Sequence, residues 1–270
     1  MKGILKLAAL PILPLLAGPA VAAAPRVPTA GWVVDFAESR CIASRDYGSA
    51  GEPLVLAFKP SPMGNVMQIA LLIKPKSLSE PRQVPVEIGI DGRPPIATSL
   101  LAFDVKQKRV RSIRINLPRE SFAPVHNAKT LSIRARGEID EVFSLAQMPD
   151  LTAQLDRCLA DLKHYWNIDD AGRLKTRAKA TRNLASYFSD DDYPAVALGK
   201  EEGGTVEFAM LIDEAGRIAD CAVTATSNVP ALDAQSCALL TRRVTFLPAT
   251  GADGKPAKDA VTSRIRWVIP

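Results

Sequence analysis

The sequence GTVEFAMLIDEAGRI, residues 204–218, predicts a β-hairpin. Its first half has the period of a half-buried strand, since every second residue is a larger apolar one. These residues are Val206, Phe208, Met210 and Ile212. The run then reaches a short turn ending in Gly216, where glycine takes the positive φ that closes a hairpin loop. Residues 218–225 are therefore predicted to return as the second strand.

A helix and one more strand follow the predicted hairpin. Ser-Asn-Val-Pro at residues 227–230 is a helix-start signal, and an apolar-periodic run continues from there to Val244. Residues 260–269 alternate again, which predicts a final strand. The order strand, strand, helix, strand is thus expected for residues 193–270.

These segments resemble a known family, the TonB C-terminal domain. The resemblance covers about 80 of the 270 residues and rests on short signals in a fixed order and spacing. The matching positions are Tyr193, Pro194, Gly204, Val206, Gly216, Leu232, Asp233, Phe246 and Pro248. The resemblance implies a TonB family protein with a small ββαβ domain at residues 193–270.

The resemblance also implies a way of binding. Members of the family take a short extended peptide, the TonB box of an outer-membrane receptor, as an extra strand on the sheet edge. The edge implied here is the last strand. Its peptide-binding residues would be Ala260, Val261, Thr262, Ser263, Arg264, Ile265 and Arg266. The alternative is that the arginines only protect this edge against aggregation.

The amino terminus predicts export. Lys2 and Lys6 precede a short apolar stretch, and small residues follow at 22–24, the pattern of a cleaved signal peptide. We therefore expect residues 1–24 to be removed and the protein to be periplasmic. The alternative is an uncleaved segment that anchors the protein in the inner membrane.

Four cysteines allow three disulfide pairings. Cys221 is expected on the core side of the second strand, and Cys237 on the facing side of the following helix, so these two form the local pair. Cys41 and Cys158 then remain to link the first domain. Export to an oxidising compartment favours two disulfides over four reduced thiols.

Residues 25–163 predict a β-rich domain closed by a helix. Seven or eight short alternating segments at regular spacing are typical of a β-sandwich or an open barrel. A stripe of Leu151, Leu155, Cys158 and Leu162 predicts a helix packed on that domain. The predicted fold class is therefore α+β, a β-sandwich-like domain followed by the small TonB-like domain.

Residues 164–192 predict a charged connector between the two domains. The basic side chains of Arg173, Lys175, Arg177, Lys179 and Arg182 favour a solvated helix face, with attraction to anionic lipid or cell-wall polymer as the alternative. The acidic run at residues 190–192 is expected to oppose helix formation and to lead into Tyr193.

The sequence contains no catalytic motif, and we expect no enzyme, no cofactor and no metal site. Glu138, Asp140 and Glu141 are interpreted as a loop before the helix. A net charge of +5 without a basic, aromatic-rich stripe argues against nucleic acid. Two main hypotheses remain, a periplasmic peptide-binding protein in TonB-dependent transport and an envelope protein that forms homodimers through its TonB-like domain. An exported enzyme within residues 31–148 is a third.

Overall fold

A computed structural model of the protein describes residues 24–75 and 80–270. The predicted signal peptide lies outside the described residues except for its last position. Within these ranges the first domain has nine strands. They are β1 Val33–Ala37, β2 Arg40–Asp46, β3 Leu54–Pro60, β4 Val66–Ile73, β5 Arg82–Ile90, β6 Ile96–Val105, β7 Val110–Pro118, β8 Thr130–Ala135 and β9 Ile139–Ser144.

These nine strands form one antiparallel sheet in the order β1-β2-β3-β4-β7-β6-β5-β8-β9. The sheet curls so that its ends approach each other, since the Tyr47 hydroxyl after β2 donates to the Ser144 carbonyl of β9 at 2.9 Å. Of the two predicted forms, the single curled sheet corresponds to the open barrel. Its concave side encloses the larger apolar core.

Strand β9 corrects the interpretation of residues 138–141 as a loop. Ile139 and Phe143 are buried on one side of the strand, while the acidic Asp140 is exposed on the other. This is the alternation of a half-buried strand, which the cluster of acidic residues obscured in the sequence. Glu138, just before β9, is buried, and its carboxylate accepts a hydrogen bond from the Arg111 guanidinium at 2.8 Å, which compensates for the burial.

The first domain also contains α1 Arg119–Phe122, which lies between β7 and β8, and α2 Met148–Tyr165, which follows β9. The predicted stripe on α2 is confirmed, because Leu151, Leu155, Cys158 and Leu162 are all buried in the first core. A disulfide joins Cys158 to Cys41 on β2. The helix is thus fixed across the curled sheet.

The remaining elements belong to the C-terminal domain. They are β10 Leu174–Thr176, β11 Lys179–Ala180, α3 Ala195–Leu198, β12 Gly204–Ile212, β13 Ile218–Ala225, α4 Pro230–Arg243, β14 Phe246–Leu247, β15 Ala249–Gly251, β16 Pro256–Ala257 and β17 Asp259–Trp267. The three long strands make an antiparallel sheet ordered β13-β12-β17, with α4 packed against it. The predicted α+β class and ββαβ order are confirmed.

Residues 164–192 lie within the C-terminal domain and differ from the expected connector. Strand β10 pairs with β15 and β11 pairs with β14, so the basic stretch is extended apart from Arg173, which ends a 3₁₀ turn. Residues Asp190–Asp192 form a 3₁₀ turn, in which Asp192 is buried and binds Arg243. The charges that suggested a solvated segment are in part neutralised by partners distant in sequence.

The two domains pack directly against each other. Leu211 and Ala260 of the C-terminal sheet belong to the first core, and Leu101 of β6 belongs to the second. Gln83 of β5 accepts a hydrogen bond from the backbone N–H of Ala231 at 3.0 Å, which caps the start of α4. The C-terminal sheet is therefore held in a fixed position on the first domain.

Candidate peptide-binding edge

Strand β17 lies at one edge of the C-terminal sheet. Within residues 24–75 and 80–270 it pairs with β12 alone, in a continuous antiparallel register from Gly204↔Trp267 to Ile212↔Asp259. Alternate residues of an edge strand direct their N–H and C=O groups away from the sheet. The contacts of Ala260 show which residues these are.

The backbone of Ala260 points outward. Its N–H donates to the Asp259 carboxylate at 2.7 Å, and its C=O accepts from the Arg177 guanidinium at 2.8 Å. Because both groups of a residue in an antiparallel strand face the same neighbour, the alternation places the backbone groups of Thr262, Arg264 and Arg266 outward as well. We call these three residues and the two between them the β17 edge.

The β17 edge is accessible along its length. The side chains of Thr262, Arg264 and Arg266 are exposed, whereas the neighbouring Val261 and Ile265 turn toward the second core. No other strand within the described ranges pairs with this side of β17. A backbone of about five residues therefore has a template to pair with.

Both ends of the β17 edge are fixed by residues outside the sheet. At the start, Arg177 binds the fully buried Asp259 carboxylate through Nε at 2.9 and 3.0 Å, and the Ala178 N–H donates to the same group at 2.8 Å. At the far end, Trp267 is buried between Phe188 and Tyr193, with ring centroids 5.6 and 5.4 Å away. These contacts limit the accessible window to residues 262–266.

The opposite edge of the sheet, strand β13, is in contact with the first domain. The Asn65 N–H donates to the Thr224 carbonyl at 3.3 Å, and Gly64 packs on the same residue. Lys59 binds Asp220 further along β13 at 3.0 Å. The loop before β4 thus covers part of this edge. Nothing in the sequence indicated this contact, because it joins residues that are far apart along the chain.

The residues of the family pattern hold the domain together and do not line the β17 edge. Val206, Leu232 and Phe246 are buried in the second core, and burial raises the pKa of Tyr193, whose hydroxyl donates to the Glu202 carbonyl. Asp233 is also buried, and it accepts from the N–H and hydroxyl of Ser227 at 2.9 and 2.8 Å.

The two glycines and two prolines of the pattern meet backbone requirements. Gly216 has φ +76°, and a Cβ there would overlap the carbonyl oxygen of Phe246. The backbone N–H of Phe246 in turn donates to the Gly216 C=O. Gly204 lies against Ser227, and the Pro194 carbonyl accepts from Ala197 at the start of α3. Pro248, beside Gly216, separates the short strands β14 and β15.

The cysteines pair as the sequence favoured. A disulfide joins Cys221 on β13 to Cys237 on α4, and the other joins Cys41 to Cys158. The first of these bonds ties α4 to the covered strand β13. The β17 edge lies on the far side of β12 and has no such covalent link to the helix.

The C-terminal domain belongs to the class of small α+β domains, with a three-stranded antiparallel sheet, a helix packed across it and an accessible edge strand. Residues 190–269 match the family model of the Gram-negative bacterial TonB protein C-terminal. Residues 190–269 therefore form a TonB C-terminal domain, a domain whose family is associated with the cell envelope and with transport across it. No curated protein and no solved structure matched the chain.

Two further findings concern the described part of the chain. Within residues 24–75 and 80–270, none of the helices is long and apolar enough to cross a bilayer. Over the same ranges, no group of three metal-ligating side chains comes together.

Proposed function

We propose that the protein binds an extended peptide at the β17 edge by strand addition, in the periplasm, as a step of transport across the outer membrane. The TonB box of an outer-membrane receptor is the partner that the family suggests. The observation that carries the proposal is the outward direction of the Thr262, Arg264 and Arg266 backbone, beside a C-terminal domain of the TonB family. Three outward residues offer up to about six backbone hydrogen bonds to a visiting chain.

The side chains on this strand favour an acidic or polar peptide. Arg264 and Arg266 are exposed and form no ion pair with any described residue. Glu207, opposite Arg264 on β12, is the nearest acidic residue in the register and is also exposed. An incoming strand carrying a carboxylate would place it beside the arginines, while the backbone ladder supplies most of the affinity.

A proline substitution tests this function without disturbing the sheet. Arg264→Pro removes one outward N–H that β12 does not use, and proline is tolerated on an edge strand whose N–H faces solvent. Fluorescence anisotropy with a labelled receptor-box peptide should show affinity at least about tenfold weaker for this variant, because the ladder is interrupted at its centre.

Arg264→Gln is the matched control, since it removes the charge and keeps the N–H. It should bind within about threefold of the original protein if the backbone supplies most of the affinity. Equal affinity of the original protein and the proline variant, with circular dichroism showing an intact fold, would contradict strand addition here.

Self-association through the same edge gives a different result in light scattering. If two copies pair through β17, the mature protein is a dimer and the Arg264→Pro variant a monomer, and the peptide dissociates the dimer. A monomer that binds one peptide supports the proposed function. A dimer whose mass the peptide leaves unchanged contradicts it.

A further inference from the structure

A cleft lies between the two domains, away from the β17 edge. It has a volume of about 430 Å³ and is bounded by β3, β4, β6 and β7 of the first domain and by β13 and α4 of the second. Apolar side chains such as Leu101 and Val223 line part of it, and polar side chains line the remainder. This size and mixed lining suit a small ligand or the end of a chain.

Two arginines, one from each domain, line this interdomain cleft. Arg114 on β7 and Arg242 on α4 are both accessible to solvent, and neither guanidinium group forms a hydrogen bond or ion pair with any residue of 24–75 or 80–270. The Arg114 guanidinium lies over the Phe103 ring, 4.8 Å from its centroid. Stacking holds the guanidinium plane and leaves its N–H edges free.

The acidic groups of the cleft already have partners. Asp220 is paired with Lys59 at 3.0 Å, and the buried Asp233 accepts from Asn116, Thr226 and Ser227. Because the partners of Asp233 are neutral, the cleft is lined by three cationic side chains, including Lys59, against two carboxylates, which is an excess of one positive charge.

We infer that the interdomain cleft binds a carboxylate of a small ligand or chain end, held by the guanidinium groups of Arg114 and Arg242. The planar fork of arginine matches a carboxylate through two parallel N–H···O bonds. Gln68 and Asn116 line the same wall, where the Gln68 amide N–H donates to the Asn116 carbonyl oxygen at 3.1 Å.

A phosphate fits this cleft less well. Phosphate sites in proteins commonly use free backbone N–H groups at a helix start. At the start of α4, the Ala231 N–H already donates to Gln83, and the N–H groups of Leu232 and Asp233 donate to the Val229 carbonyl. The cleft therefore offers side-chain guanidinium groups in place of a backbone cradle.

Titration by nuclear magnetic resonance tests the inference, with the arginine Nε–Hε signals as the readout. The probes are N-acetylalanine, its C-terminal amide, succinate and inorganic phosphate. N-acetylalanine or succinate should shift the Arg114 signal saturably, and the tighter of the two identifies a chain end or a small acid as the source. The amide should bind at least about tenfold more weakly, since it lacks the charge-assisted bonds.

Arg114→Gln and Arg242→Gln should each weaken acid binding by roughly tenfold, because each removes one charged donor. Arg157→Gln is the matched control, an exposed arginine of α2 outside the cleft, and should leave binding unchanged. Equal binding of acid and amide, tighter binding of phosphate, unchanged binding by Arg114→Gln or no saturable shift would each overturn the inference. Arg264→Pro should bind the acid normally, so this site and the β17 edge can fail separately.

Discussion

The two edges of the C-terminal sheet differ in what surrounds them. Strand β13 meets the loop before β4, which donates a backbone hydrogen bond to Thr224, and Lys59 nearby forms an ion pair with Asp220. Strand β17 pairs with β12 on one side, and within the described residues its outer side is contacted near its ends, by Arg177 and by the aromatic cluster around Trp267. The same short sheet therefore has one covered edge and one accessible edge.

This difference shows how a first domain directs the binding of a second. An exposed edge strand is a template for any extended chain, and two of them on one small sheet would permit pairing in two places. Covering β13 with the protein's own loop removes one of these. A visiting strand is then confined to β17, next to β12 in a fixed register.

The largest expected effect comes from breaking the covered edge at Gly64. This glycine has φ +77°, and a Cβ there would lie 2.8 Å from Thr224 Cα and 2.9 Å from its carbonyl oxygen. Gly64→Ala should cost about 1–2 kcal/mol for the left-handed backbone and about 1–3 kcal/mol for the overlap. Urea unfolding followed by circular dichroism measures the sum, about 2–5 kcal/mol.

Gly254→Ala separates these two contributions. Gly254 also has positive φ, +79°, but no atom lies within 4 Å of the position that a Cβ would take there. Its substitution should cost only the backbone part, about 1–2 kcal/mol. If the free energy of unfolding falls by the same amount in both variants, the loop at Gly64 does not pack against β13 as closely as the structure indicates.

Much of the C-terminal domain was predictable from the sequence because its signals are local. The alternation in residues 204–212 and 260–267 defines β12 and β17, and the apolar period after Pro230 defines α4. The pairing of Cys221 with Cys237 was predictable because the alternation of β13 and the helical period of α4 place these two cysteines on facing sides of the strand and the helix. Which strand is the edge came from the family resemblance, since strand order is not a local property.

The covered edge could not be predicted, because its contacts depend on how the domains dock. Gly64 and Thr224 are far apart in sequence, and nothing near Lys59 indicates Asp220 as its partner. The prediction of a charged connector for residues 164–192 differed from the structure for a related reason. Its charges suggested a solvated connector, but Arg177 and Asp192 find their partners only after residues 243–259 have folded beside them.

A smaller effect is expected from the ion pair on the accessible side. Asp192 accepts two bonds from Arg243, at 2.6 and 2.7 Å, which fixes the turn before Tyr193 and so the end of β17. The bonds from Arg243 lower the pKa of Asp192 from 3.8 to about 2. Since Arg243 is one-third exposed, Asp192→Asn should cost about 1–2 kcal/mol at pH 7.

The sign of the pH dependence gives an independent check. A carboxyl whose pKa is lower in the folded state stabilises fully above its ordinary pKa, and loses that contribution as the pH falls through the folded value. The difference in stability between the original protein and the Asp192→Asn variant should therefore disappear between about pH 4 and pH 2. Asp191→Asn, at an exposed position in the same turn, is the matched control and should change stability little. A constant difference down to about pH 2 would mean that packing, not charge, explains the cost.

A still smaller effect should come from the ion pair on the covered side, between Lys59 and Asp220. Their side chains are 22% and 16% exposed, so water screens the pair, and Lys59→Met should cost about 0.5–1 kcal/mol. Lys74→Met removes a more exposed pair with Glu52 and should change stability by less than about 0.5 kcal/mol. Neither variant should alter peptide affinity in the anisotropy titration, because both lie away from residues 262–266. If Lys59→Met weakened the peptide, the two edges would be coupled through β12, and the covered edge would help to shape the accessible one.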